Sequence, residues 1–180
     1  MHLNRTNFRK SETCASDILS RYNIEKAPIP VEQIIKWEGL QLVEYNLGED
    51  ISGILMINET FSAIGVNPKN HPNRQRFSMA HELGHYLLHK DRSNLFIDKD
   101  FIVMFRHSTH HYSVDEKRQE QEANAFAAAL LMPTRIIENE VDRLKIYSHN
   151  ETELISELAK NFKVSEVAMS YRFSTLNNFF

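Results

Sequence analysis

The 180 residues of this chain predict an α+β fold. A small three-stranded, mostly antiparallel sheet packs on two long helices, and a helix-turn-helix-like unit follows. Three observations lead there. Three short β-type runs, residues 40–45, 51–58 and 61–66, lie close together. A strongly helical run, Phe77–His89, contains His81-Glu82-x-x-His85. A second helical run, Glu116–Met132, is rich in alanine and stops at Pro133.

Composition bounds the class. Hydrophobic residues make up 42% and charged residues 25%, an ordinary globular balance. A chain of this length buries a core without staples. The net charge of −3 argues against nucleic acid or an anionic membrane as a direct partner. The single Cys14 rules out an internal disulfide and a cysteine-based zinc cluster. That usage fits a reducing cytosol, so a cytoplasmic location is expected. Met1–Lys10 is polar and basic, unlike a signal peptide. No apolar run approaches the length of a membrane span. The expected organisation is a main domain over 1–145, with a helical unit over 146–180 packed on it.

The elements follow in order. Ser11–Ile24 reads as a helix with Ile18, Leu19 and Tyr22 inward. Ala27-Pro28-Ile29-Pro30 is an extended link, and Pro30 can open a helix over Val31–Trp37 that Gly39 closes. Ile34, Ile35 and Trp37 are its expected buried side. The strands Leu40–Tyr45, Ile51–Asn58 and Phe61–Val66 are joined by short connections, which favour antiparallel neighbours. Asn67–Pro72 is loop chemistry, and the motif helix should begin near Asn73. Asp91–Glu116 is irregular, with a short strand expected at Phe101–Phe105. His107, His110 and His111 then crowd a polar stretch ending at Tyr112. We read it as a loop beside the active site rather than a second metal site, with Tyr112 or His111 a candidate oxyanion donor.

The motif carries the chemistry. Residues i and i+4 share a helix face, so His81 and His85 can hold one zinc ion. Glu82 projects at a neighbouring angle, where it can take a proton from water activated by the ion. An amphipathic core helix with two incidental histidines would show the same five letters. Context speaks against that: Phe77, Ala80, Leu83, Leu87 and Leu88 make a helical apolar face, yet Gly84 interrupts it at a cost of about 1 kcal/mol relative to Ala. A glycine there makes sense where a metal, substrate or strand approaches the backbone. His89 lies eight residues from His81, about 12 Å along the axis, too far to share the ion. It reads as a helix-terminal cation or a partner of a ligand.

A zinc hydrolase needs a third ligand, and the alanine-rich helix offers Glu120 and Glu122. They face different directions. Glu120 shares a face with Asn124, which could brace a ligating histidine or the carboxylate, so Glu120 is preferred and Glu122 is the alternative. The plain reading of both is solvated acids near a helix N-terminus. Beyond Pro133 come helices over Thr134–Leu144, after an Asn150/Glu153 cap, and over Glu166–Leu176. The last two resemble a helix-turn-helix. Over residues 151–180, however, Lys160, Lys163 and Arg172 face four glutamates, a poor match to phosphate. The unit therefore reads as packing or a partner surface.

Taken together, Arg76–His89 and Glu120–Pro133 resemble the ImmA/IrrE family of metallopeptidases, over about Ser11–Leu176. The resemblance implies a zincin-like, gluzincin-type site. His81, His85 and Glu120 would be the ligands of one zinc ion per chain, with manganese or iron as alternatives, and Glu82 the base. It also implies a protein substrate: a helix-turn-helix repressor, cleaved to release a mobile element, prophage or stress regulon. The chain looks like the short, stand-alone type. The rival expectation is a non-catalytic, zinc-containing module that binds a regulator by occupancy, as in a toxin–antitoxin pair.

Overall fold

The computed structural model describes residues 5–91, 95–99, 113–144 and 150–177. Helix α1 (Arg5–Arg21) starts six residues before the expected Ser11. Ser11 is fully buried mid-helix, and its hydroxyl donates to the Glu122 carbonyl at 2.9 Å. Ala15, Ile18 and Leu19 enter the core. Helix α2 (Val31–Trp37) follows the extended link and buries Val31, Ile34 and Ile35. Trp37 departs from expectation: it is 46% exposed and stacks on Tyr22, ring centroids 4.7 Å apart. Gly39 closes the helix at φ +81°, backbone that glycine adopts freely.

The sheet has four strands rather than three, and it is mixed. Strands β1 (Gln41–Glu44), β2 (Ile51–Ile57), β3 (Ser62–Val66) and β4 (Leu95–Lys99) lie in the order β1-β3-β2-β4. β1 pairs parallel to β3, and β2 pairs antiparallel to β3 and to β4. The short β1–β2 connection thus gives opposed directions, but β3 lies between them. Burial explains the order. Ala63 to Val66 are all buried, the signature of an inner strand, whereas β1 is mostly exposed and takes an edge. The β2–β3 hairpin is tightened by Asn58, whose Oδ1 accepts from the backbone of Thr60 and Phe61 at 2.8 Å. β4 falls earlier than the strand expected at Phe101–Phe105, which lies outside the described residues.

Helix α3 (Pro72–His89) crosses one face of this sheet. Helix α4 (Val114–Leu131) lies against α3, and α1 covers α4. Helices α5 (Thr134–Leu144), α6 (Glu151–Phe162) and α7 (Glu166–Asn177) complete the chain. Asn150 caps α6, its Oδ1 accepting from the Glu153 amide at 2.9 Å. One continuous apolar cluster runs from Ala15 to Met169. Arg172, 3% exposed, fastens α7 to the rest: it donates to the Met132 carbonyl at 3.1 Å and to the Glu12 carboxylate on α1. No helix among the described residues is long and apolar enough to cross a membrane.

Candidate metal centre

The site is built where α3 and α4 touch. His71 caps α3, its Nδ1 accepting from the Asn73 amide at 3.2 Å, and Pro72 fills the first turn. α4 starts on a capping box: Ser113 accepts from the Glu116 amide at 3.1 Å, and Glu116 accepts from the Ser113 amide at 2.7 Å. That box places the helix start at Val114, two residues before the expected Glu116.

Gly84 lets the two helices approach. A Cβ there would stand 2.9 Å from the Phe126 ring and 3.3 Å from the Cα and carbonyl of Ala123. The backbone neighbour is therefore the second helix, not a metal or a strand. The helices run antiparallel, since His89 meets Glu122 while the start of α3 meets Leu131 and Met132.

This approach gathers three donors. The His81 and His85 Nε2 atoms are 3.0 Å apart. Glu120 Oε1 lies 3.1 Å from His85 Nε2, and its Oε2 lies 3.3 Å from His81 Nε2. One ligand atom from each of His81, His85 and Glu120 lies within 4.8 Å of the others. His81 Nδ1 sits 3.0 Å from Asn124 Oδ1. An amide oxygen only accepts, so Nδ1 carries the proton and the Nε2 lone pair faces the cluster. His85 is oriented instead by stacking on Phe96 of β4, ring centroids 4.4 Å apart. Its buried Nδ1 has no hydrogen-bond partner among the described residues.

Two inward nitrogen lone pairs and a carboxylate converging in a buried space repel one another unless a cation or proton lies between them. The three-donor set fits a divalent metal ion. Without an ion, protons on the facing ring nitrogens take its place: burial pushes the Glu120 carboxyl up, but hydrogen bonding from His81 and His85 in their protonated form outweighs it and holds the group at about 2. Burial pushes the His85 imidazole down, favouring the neutral ring a metal requires.

Glu82 lies outside the donor cluster. It is fully buried and faces β2, where Gly53 makes room: a Cβ on Gly53 would stand 3.2 Å from Glu82 Oε1. In the sequence Gly53 is one residue of the expected strand Ile51–Asn58, with nothing to mark it. His89 and Glu122 form a separate buried pair, 2.8 Å apart, with Arg118 3.6 Å from the other carboxylate oxygen. Glu122 is therefore neither in the cluster nor a solvated acid. Tyr112 and His111 lie outside the described residues.

Fold and site define a class: an α+β domain whose His-Glu-x-x-His helix and a glutamate-bearing second helix create a buried metal-ligand cluster. The model of the IrrE N-terminal-like domain, Peptidase_M78, matches residues 38–174, and the chain belongs to that family. Among solved structures, a Mycobacterium tuberculosis transcriptional regulator superposes with a TM-score of 0.59 at 16% identity. That match covers 92% of this chain and 47% of the other, so this chain spans about half its length. At such identity the likeness is one of fold. No curated protein sequence matches the chain. Family membership and the His81/His85/Glu120 cluster together support a metal-dependent peptidase or regulatory role.

Proposed function

We propose that the protein is a zinc-dependent, site-specific endopeptidase acting in the cytoplasm on a helix-turn-helix repressor, and that the cut releases a mobile-element, prophage or stress regulon. The observation that carries the reading is the convergence of His81, His85 and Glu120 in a member of a peptidase family. A divalent ion held by these three groups supplies a Lewis acid and brings the pKa of water towards about 7. The nitrogen and carboxylate donors suit zinc, and manganese or iron share the preference in part.

The residues of the chain do the rest. His81 and His85 present lone pairs, and Asn124 holds the His81 tautomer. Glu82 takes the proton of the attacking water and delivers it to the departing amine. β4, one of the two edge strands of the described sheet, runs beside His85 through the Phe96 stack. An extended substrate can add to it as a further strand. Tyr112 or His111 is the proposed oxyanion donor.

The test is a cleavage assay on candidate helix-turn-helix repressors from the same genome, read by intact-mass spectrometry. Wild-type protein with zinc should give two fragments from a single cut. Glu82→Gln should keep zinc and lose about 10²–10⁴ in rate. Undiminished cleavage by Glu82→Gln would remove Glu82 from its role. Derepression by Glu82→Gln with an intact regulator would favour the non-catalytic binding module.

A further inference from the structure

A groove of about 470 Å³ lies at the N-terminal end of α3, walled by Arg74 and Phe77, by Leu131 and Met132 at the end of α4, and by Val164 and Ala168 at the turn into α7. That volume is within the range of ligand pockets, roughly 300–1,000 Å³. The groove adjoins the metal centre. Phe77 precedes His81 by one helical turn, its ring centroid 6.2 Å from that of His81. Arg74, Phe77, His81 and His85 follow one another at i+3 and i+4 spacing, so a single face of α3 runs from the groove to the donors.

The walls specify what fits. Leu131 and Met132 are buried at 1% and 2% exposure, and they make an apolar floor with Val164. No carboxylate lines the groove among the described residues. Its one permanent charge is Arg74, held in place with Cζ 5.7 Å from the Phe77 ring centroid and Nε 3.0 Å from Ser52 Oγ. Apolar surface continues onto the outside of α7, where Val167 and Tyr171 are 80% and 73% exposed.

We propose that this groove is the specificity pocket of the peptidase and takes one large aliphatic or aromatic side chain of the substrate. The proposal rests on the metallopeptidase reading above. Seven residues of helix separate Arg74 from His81, about 10 Å. An extended chain covers that distance in about three residues, so the pocket reads a side chain within three positions of the scissile bond. The turn between α6 and α7 then closes the end of the cleft. The apolar floor of Leu131, Met132 and Val164 offers nothing to the charged end of a lysine or arginine.

Hydroxamates test this without a known substrate. Two series of tripeptide-length compounds, one extending the chain to each side of the hydroxamate, carry Gly, Leu, Phe or Lys at one position at a time. Calorimetry measures their binding to the zinc-loaded protein, with acetohydroxamate as the reference for each protein. In one series, Leu or Phe at one position should bind at least tenfold tighter than Gly, and Lys should give no gain. Ala168→Trp should abolish that gain. Ala168→Leu should reduce it, and serves if the larger residue prevents folding. Equal affinity for Gly, Leu and Phe in both series, with acetohydroxamate bound, overturns the pocket alone. So does a gain that survives both substitutions. Failure of acetohydroxamate to bind overturns the metal reading and the pocket with it.

Discussion

Replacing Gly84 by alanine separates local propensity from helix packing. In an isolated helix the change gains about 1 kcal/mol. Here the new methyl would meet Phe126 Cδ1 at 2.9 Å and the Ala123 Cα at 3.3 Å, inside the roughly 3.5–4.0 Å at which carbon atoms rest. Phe126 is fully buried, and Ala123 offers backbone, which cannot rotate aside. The helices must part by about half an ångström, and overpacking of this kind costs about 1–3 kcal/mol. Set against the propensity gain, the metal-free protein should lose about 1 kcal/mol, or roughly 2–4 °C in Tm for a chain of this size. The functional consequence is larger. The donors are divided between the two helices, at 3.1 and 3.3 Å from carboxylate to ring nitrogen, whereas ligand distances tolerate about 0.2 Å. Zinc affinity should fall about tenfold, removing about 1.4 kcal/mol of zinc-conferred stability. Thermal unfolding with chelator and with excess zinc reads both effects. A Gly84→Ala protein that is more stable without metal, and unchanged in zinc affinity, would refute the packing argument.

Three further outcomes follow from the same contacts. Gly53→Ala should crowd Glu82, keep zinc and slow hydrolysis at least tenfold; unaltered turnover would show that the carboxylate does not need that space. Glu122→Ala should leave His89 buried without its acid and cost about 1–3 kcal/mol in denaturant unfolding, while zinc stoichiometry stays at one; loss of zinc would move the third ligand to Glu122. The pH dependence of the metal-free protein has a definite sign. The folded values of His85 and Glu120 both lie below their ordinary 6.5 and 4.5, so the folded state binds fewer protons and stability falls with falling pH. The His85 part of that fall should begin near pH 6.5, and the Glu120 part near 4.5, continuing to about 2. A Tm that stays flat from pH 6.5 to 4 would contradict the burial of His85 as a neutral ring.

Much of the site was legible because helix periodicity is local. The i, i+4 spacing fixes His81 over His85, and the same spacing pairs Glu120 with Asn124. That one rule, applied twice, places four side chains without knowledge of the sheet. Gly84 announced a close approach, but not by what, because the identity of the approaching backbone is set by tertiary contact. Gly53 left no signal: its meaning is the space it gives a carboxylate on another element. The sheet failed for a related reason. Strand direction follows from connection length, but strand order depends on which run is apolar on both faces, and β3 wins the inner place from β1 by burial. Trp37 reads as core by type, yet it finds its partner, Tyr22, at the surface. His89 reads as a helix-end cation or a partner of a ligand, whereas its buried partner is Glu122, thirty-three residues away in sequence and outside the donor cluster.

The central claim is that His81, His85 and Glu120 hold one metal ion, and metal content tests it most directly. Plasma mass spectrometry of the purified wild type, Glu120→Ala and Glu122→Ala should find near one zinc per chain in the first and third and little in the second. No metal in the wild type after reconstitution, or equal metal in wild type and Glu120→Ala, would contradict the account.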